Sequence, residues 1–581
     1  MVKFFKIPEI TEEASRIIKE NFSLRQQSIL LAFIVGLMTG LLAVAFKESI
    51  HYLGSFTLEV ATNHDRWYEW LYLPLIAATG GAIAGLIVTY VPEASGSGIP
   101  EIRLHLARVG KRIRRRNIIA KFFGGIVAIG SGFSLGREGP TVSIGAASGT
   151  FVSSIFKLTG VKEKQLFAAG AGAGLAAAFN TPIAGVIFVV EELSHNFSSK
   201  FLAPCIVASI TASAITRYLS GNKPSFEVLQ IPEVFSWAQI PVYILLGLIA
   251  GVLGTVFTRS IIKSLDVFDG IKGIPLWVKV ALAGLITGIV GVFIPEAIGD
   301  GHAATEKMLT GAAGVLWLLP LWFLAKIFLT AVGYGPGTPG GIFAPSLFCG
   351  AALGLFMGKF FNIIMPDLEI VSTNLALVGM GAFFTAVVRT PITAMVIIFE
   401  MTNNYQLILP LMLSCILADL VSQKLYPRAI YPALLFRSTG LDLEQEHFTS
   451  PLQQVKVGDV MTSNVQKLSK RINIAEAFEA MERSHHNGLP IVSRKGRLLG
   501  IITLSDLEDA FLKNIPVTTP VEEIMSKHLI TITPDKMLDQ ALDKMHLNKI
   551  GRILVVDPQR RDYLVGIVTR SDILKAEVQG I

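Results

Sequence analysis

Gly136-Arg137-Glu138-Gly139-Pro140 runs directly into Thr141-Val142-Ser143-Ile144-Gly145-Ala146-Ala147-Ser148-Gly149. Further on, Gly341-Ile342-Phe343-Ala344-Pro345 runs into Ser346-Leu347-Phe348-Cys349-Gly350-Ala351-Ala352-Leu353-Gly354. With Pro140 laid on Pro345, the glycines at 136, 145 and 149 fall on those at 341, 350 and 354, and both alanine pairs coincide. Proline suits the first turn of a helix, where its missing N–H would have been unsatisfied anyway. Glycine before it lets the backbone come close to a ligand. The helix start then offers free N–H donors and partial positive charge, which together make an anion site. Glu138 adds a carboxylate at one such start. Ionised, it can fill an anion site itself, and it must leave or take a proton before a free anion enters. The plainer reading of the same residues is two Gly-rich packing segments with Glu138 as a cap.

The 581 residues around these stretches are 51% hydrophobic and only 16% charged. A soluble chain of this length carries about 25% charge. With a mean hydropathy of +0.55 the chain reads as a multi-pass, integral membrane protein, with lipid as its surroundings. A soluble enzyme is excluded by this hydropathy, and no nucleophile–base arrangement is present. The net charge of +7 is modest and lacks the basic-plus-aromatic pattern of a nucleic-acid partner. Cys205, Cys349 and Cys415 lie in apolar surroundings and read as packing residues, neither a disulfide frame nor a metal site.

Residues 1–27, led by the mixed stretch Met1 to Lys19, read as an amphipathic cytosolic segment. Apolar runs follow at 28–46, 71–92, 166–179, 183–193 and 201–216 in one half (28–220). The other half (238–438) has runs at 238–257, 280–295, 308–325, 327–357, 371–388, 391–400 and 405–418. Gly96-Ser97-Gly98-Ile99-Pro100-Glu101 is another Gly/Pro break. The basic stretch after it, Arg108 to Lys121, reads as a cytoplasmic loop. A second motif also repeats: Thr181-Pro182-Ile183 to Glu191 matches Thr390-Pro391-Ile392 to Glu400. Duplicated halves with Pro/Gly-broken apolar segments point to a transport site between them.

After a linker at 439–451 the composition changes, with 34 charged residues among the last 131. This soluble, α/β-patterned tail repeats as well. Gly500-Ile501-Ile502-Thr503-Leu504-Ser505-Asp506 echoes Gly566-Ile567-Val568-Thr569-Arg570-Ser571-Asp572.

The three breaks at Gly96–Pro100, Gly136–Pro140 and Gly341–Pro345 resemble, in order, the signature stretches of the CLC chloride channels and chloride/proton antiporters. The tail resembles a pair of cystathionine-β-synthase-type (CBS) domains, at 452–512 and 517–576. The resemblance implies an all-α membrane domain of two inverted repeats with broken helices, at 28–438, followed by a cytosolic α/β CBS pair. It implies a homodimer with one anion pathway per subunit. Ser97 resembles the serine whose hydroxyl donates to a central chloride. The N–H groups of Ile342 and Phe343 resemble its helix-end donors, and Tyr431 resembles the tyrosine that caps the ion from inside. Glu138 resembles the external gating glutamate, and Glu192 the internal proton-transfer glutamate. Arg103 stands where some bacterial relatives have an acid; that position reads as structural. Ser97 argues against the nitrate-favouring branch, which has proline there. In the tail, Thr503, Asp506, Thr569 and Asp572 match residues that grip an adenine nucleotide (ATP, ADP or AMP) in CBS pairs; the alternative is an empty packing module.

The resulting expectation is a secondary active chloride/proton antiporter regulated by its CBS pair. A gated passive chloride channel on the same scaffold is the alternative. Short loops point to a prokaryotic plasma (inner) membrane with both termini cytosolic. Glu192 lies ten positions past Pro182, roughly 15 Å of helix, which would carry it towards an aqueous edge.

Overall fold

Hydrocarbon offers no hydrogen-bond partners, so a lipid-embedded backbone must satisfy itself as helix, and irregular backbone survives only inside protein. The membrane part of this chain follows that rule. The computed structural model describes residues 23–62, 67–107, 115–158, 160–194, 199–221, 236–312, 315–402, 405–440, 452, 455–484, 486–548, 550–560 and 562–579. The N-terminal amphipathic segment to residue 22, most of the linker, and 108–114 of the basic loop lie outside them. The chain divides into two compact units, Met1–Leu441 and Asp442–Ile581.

In the first unit α1 (Leu24–Thr62), α2 (Tyr72–Tyr90), the short α3 (Ile99–Leu106), α4 (Arg115–Gly130), α5 (Glu138–Ile155), α6 (Val161–Phe179), α7 (Pro182–Phe188) and α8 (Ser199–Ser220) form one half. The other half comprises α9 (Ile240–Gly270), α10 (Leu276–Phe293), the short α11 (His302–Leu309), α12 (Leu318–Tyr334), α13 (Phe343–Ile364), α14 (Ser372–Val388), α15 (Pro391–Thr402), α16 (Ile408–Leu425) and α17 (Ile430–Thr439). Among the described residues, seven helices are long and apolar enough to cross a membrane.

The repeated glycines let α5 cross α6, and α13 cross α14, almost backbone to backbone. A Cβ on Gly149 would lie 2.1 Å from the Leu166 carbonyl oxygen, and one on Gly354 1.9 Å from that of Leu375. Small residues allow such approach where no water drives helices together. The halves meet as an inverted pair. Gly136 and Gly341, equivalent in the repeat, exchange both backbone bonds (2.7 and 2.6 Å) in antiparallel fashion. The ends of α7 and α15 are tied reciprocally. Glu191 accepts from Ile392 N (3.0 Å) and Thr393 N (2.7 Å). Glu400 accepts from Ile183 N (3.1 Å) and Ala184 N (2.8 Å). Each half thus caps the broken helix of the other with a carboxylate, the charge that a helix start favours.

The structure also corrects several boundaries. The apolar run 327–357 is not one segment: α12 ends at Tyr334 and α13 begins at Phe343, because Gly335-Pro336-Gly337 and Pro339 cannot continue a helix. Lys121 is not a loop residue but a buried one within α4, donating to the Ser95 carbonyl at 3.0 Å. The helix from Pro182 is α-helical only to Phe188 and continues as a π-helical turn, Val189–Ser194.

In the second unit, β1 (Leu468–Ser469), β2 (Gly488–Val492) and β3 (Leu498–Thr503) form one sheet, and β4 (Thr531–Ile532), β5 (Arg552–Val556) and β6 (Leu564–Thr569) form another. In each, the first pair is parallel and the second antiparallel. The amphipathic α18 (Ile474–Ser484) and α19 (Leu504–Leu512) cover the first sheet, while α20 (Leu538–Leu547) and α21 (Arg570–Gln579) cover the second. The leading segments are exchanged. Leu452, Val455 and Val457 pack into the second core with Leu538 and Ile573, whereas Val521 and Met525 pack into the first with Leu489 and Leu507. Each repeat therefore completes the core of the other.

Candidate anion site

Three helix starts converge inside the membrane unit. α3 begins after Gly98, whose φ of +82° only glycine takes without strain. A Cβ there would sit 2.0 Å from Ser143 Oγ on α5. Ser97 is buried. Its carbonyl accepts from Ser143 Oγ at 3.2 Å, and its own Oγ accepts from Ile99 N at 3.4 Å. A side-chain hydrogen bond also joins Ser97 to Tyr334. Gly139 brings the start of α5 against this loop, since a Cβ on it would lie 2.8 Å from Ser97 Cβ.

The starts of α5 and α13 are joined by the Gly136–Gly341 bridge. The Glu138 side chain is buried and Oε2 accepts from Ala344 N at 3.4 Å. Its carboxylate thus lies on the first turn of α13. Ile342 and Phe343 enter the same turn, where backbone N–H groups have no intrahelical acceptor. Phe343 is fixed by the rings of Phe384 (4.7 Å between centroids), Phe188 (5.6 Å), Tyr431 (6.1 Å) and Phe179 (6.4 Å). Tyr431 is fully buried beside it, and its hydroxyl has no hydrogen-bond partner among the described residues.

Glu192 does not lie at an aqueous edge. It is buried in the π turn, and Arg103 NH1 of α3 donates to its Oε1 at 2.7 Å. Arg103, read as structural, therefore grips the candidate proton residue itself. Both side chains are about 3–4% exposed. Breaking such a pair by removing one member costs about 3–5 kcal/mol, because the other charge is left buried alone. In the second unit, Thr503 Oγ1 and N both donate to Asp506 Oδ2 (2.7 and 2.8 Å), and Thr569 and Asp572 repeat this at 2.7 and 2.9 Å. These are capping boxes at the starts of α19 and α21.

Two further features shape the site. Tyr334 receives a hydrogen bond from Ser97 N (3.4 Å) on its hydroxyl and closes the loop from the end of α12. The other feature is a third repeat. Pro92-Glu93-Ala94-Ser95-Gly96-Ser97-Gly98 matches Pro295-Glu296-Ala297-Ile298-Gly299-Asp300-Gly301, with Lys121 matching Lys326. Lys326, fully buried, donates to the carbonyls of Ala297 (3.1 Å) and Gly299 (2.9 Å), as Lys121 does to that of Ser95. Both buried lysines hold the loop before a short helix. Asp300 stands where the first half has Ser97, and pairs with Arg137 at 3.6 Å. Among the described residues, no group of three or more His, Cys, Asp or Glu could hold a metal.

Comparison with known proteins agrees with this architecture. The voltage gated chloride channel family model matches residues 80–423, and the CBS domain model matches 457–513 and 521–579. A protein named H(+)/Cl(-) exchange transporter ClcA, from Vibrio parahaemolyticus, is 35% identical over 432 residues, covering 71% of this chain and 90% of its own length. One of the same name from Yersinia pestis is 35% identical, covering 71% of this chain and 87% of its own length. The crystal structure of a slow cyanobacterial Cl-/H+ antiporter superposes with a TM-score of 0.68 at 31% identity, covering 72% of this chain and 99% of the other. A eukaryotic CLC transporter shares the fold over 95% of this chain and 99% of its own, with a TM-score of 0.64 at 21% identity. The chain is a multi-pass membrane transport protein with a CBS pair at its C-terminal end; it belongs to the voltage-gated chloride channel (CLC) family.

Proposed function

We propose that the protein exchanges chloride for protons, with Glu138 as the group that both ions compete for. The observation that carries this reading is the position of the Glu138 carboxylate on the first turn of α13, close to where a permeating anion belongs. An ionised Glu138 excludes chloride from that turn, and a protonated one yields it. Proton and anion occupancy are then linked, as two ligands of one site must be. Deeper in, Ser97 Oγ, the N–H groups of Ile342 and Phe343, and the buried hydroxyl of Tyr431 supply neutral donors for one dehydrated chloride. Neutral donors bind the ion without trapping it. Glu192 delivers the proton from the cytosolic side along a route separate from the anion path. The relatives named exchange transporters support this assignment.

A homodimer in a prokaryotic plasma membrane, with both termini cytosolic, completes the proposal. Exposed Ile183, Ile210, Ile392 and Leu409 on α7, α8, α15 and α16 form the candidate subunit face. An adenine nucleotide bound at Thr503, Asp506, Thr569 and Asp572 is the proposed regulatory ligand. The capping boxes there already use the Thr and Asp groups locally, so the ligand would share them.

The second reading, a passive chloride channel, is favoured by one observation: the Arg103–Glu192 ion pair, which holds the Glu192 carboxylate on a fixed partner. Chloride-driven proton uptake into proteoliposomes separates the two. Wild-type protein is expected to pump, and Glu138→Gln, which mimics the protonated form, to pass chloride without pumping. Pumping by Glu138→Gln would refute the shared site. Chloride flux without pumping in the wild type would establish the channel.

A further inference from the structure

The CBS pair holds a concentration of positive charge that neither the transport cycle nor the nucleotide reading uses. A cavity of about 330 Å³ is lined by Ser469, Lys470, Arg471, Ser493, Arg494, Lys495 and Arg497. Five of these seven side chains are cationic, two carry hydroxyls, and none is acidic or apolar. Lys470 is paired with Glu522 at 3.1 Å and Arg497 with Asp562 at 3.1 Å. Arg471, Arg494 and Lys495 have no ion-pair partner among the described residues.

The fold does not require this charge, as the second repeat shows. Its backbone follows the same register, with Leu468 facing Ile491 where Ile532 faces Val555. In that register the partner of Arg471 is Asp535, that of Ser493 is Asp557, and that of Lys495 is Gln559. A hydrogen bond from Thr533 holds the Asp535 carboxyl below its usual range, so it stays ionised. One repeat is uniformly basic where the other carries mixed charge, with Arg560 and Arg561 offset by Asp535, Asp557 and Asp562, on one backbone. The basic cavity is also separate from the Thr503–Asp506 box. β2 pairs with β3 from Gly488–Thr503 at one end to Val492–Leu498 at the other. The 493–497 turn is thus at the far end of β3 from Thr503, roughly 17 Å along the strand.

The geometry points to a second anion site on the CBS pair, a receptor for a phosphate-bearing ligand with at least two negative charges. Guanidinium groups match phosphate oxygens with paired N–H donors, lysine supplies point charge, and serine hydroxyls complete the shell. The phosphate is that of a soluble polyphosphate or that of an acidic phospholipid headgroup, which present the same oxygens to these side chains.

The test uses the full chain and two probes. Inorganic pyrophosphate is titrated calorimetrically into protein in neutral detergent. Separately, amide hydrogen exchange of the 493–497 turn is compared in nanodiscs of phosphatidylcholine alone and of phosphatidylcholine with phosphatidylglycerol. Each is repeated with Arg494→Gln/Lys495→Gln and with Thr503→Val. A soluble ligand predicts pyrophosphate binding that weakens about tenfold or more in the double variant, which loses two charge-assisted contacts, and survives Thr503→Val. A lipid ligand predicts slower exchange only with phosphatidylglycerol, lost in the double variant. Absence of both effects in wild-type protein overturns the proposal. So does a double variant that responds as the wild type does, or a pyrophosphate signal that Thr503→Val alone removes.

Discussion

In the first half of the membrane unit, the loop before the short helix carries Ser97 and is held by Lys121; in the second half the same loop carries Asp300 and is held by Lys326. The comparison extends along both repeats. Glu191 and Glu400 match and perform the same reciprocal capping, and the glycines of α5 and α13 match and make the same close crossings. Glu138, however, stands opposite Phe343, and Glu192 opposite Met401. Positions that the repeats share hold the fold. Positions where they differ carry the candidate transport groups. An inverted duplication gives two equivalent helix starts, and transport through one pathway requires that they cease to be chemically equivalent.

The largest expected effect belongs to the shared positions. Gly149→Val and Gly354→Val should each abolish a monodisperse folded protein in detergent chromatography, because each side chain would enter a helix backbone. Survival of one variant would show that the crossings are not equivalent. Next comes the Arg103–Glu192 pair. Arg103→Met should cost about 3–5 kcal/mol in unfolding measurements, with most of it recovered in Arg103→Met/Glu192→Val, where neither charge remains buried alone. An additive double variant would show that the pair is not coupled.

The Glu191→Gln and Glu400→Gln variants each weaken charge-assisted bonds to two backbone N–H groups and should each cost about 1–3 kcal/mol. Glu191 also accepts from Thr393 Oγ1 at 2.7 Å, so its loss should be the larger by about 1 kcal/mol; a larger loss for Glu400 would break the rule that matched positions play matched roles. The smallest effect lies in the tail. Thr503→Val and Thr569→Val remove equivalent capping hydroxyls and should each cost about 1 kcal/mol of CBS stability. If nucleotide binding also disappears, these threonines touch the ligand as well as the helix.

Much of this was legible in sequence because it rests on short local rules. Pro at a helix start, Gly where backbones touch, and the spacing from Pro182 to Glu191 are each visible without coordinates. What stayed hidden depends on distant residues meeting. Arg103 and Glu192 are 89 positions apart, and nothing in either neighbourhood announces the pair. Tyr334 reaches Ser97 across 237 positions. The third repeat was readable in Pro92-Glu93-Ala94 and Pro295-Glu296-Ala297, but its chemistry was not, since Ser97 and Asp300 differ where the backbone agrees. The aqueous position expected of Glu192 assumed a straight helix, whereas the π turn and Arg103 keep the side chain inside. Likewise, local periodicity in the tail could not show that the segments leading into β1 and β4 are exchanged between cores.

The central claim is that the asymmetric groups Glu138 and Glu192 make this duplicated scaffold an exchanger. The most direct measurement is the reversal potential of purified protein in planar bilayers under opposed chloride and proton gradients. The account predicts a potential displaced from the chloride equilibrium value, which moves when the pH gradient alone is changed. A potential fixed by chloride at every pH gradient would contradict it.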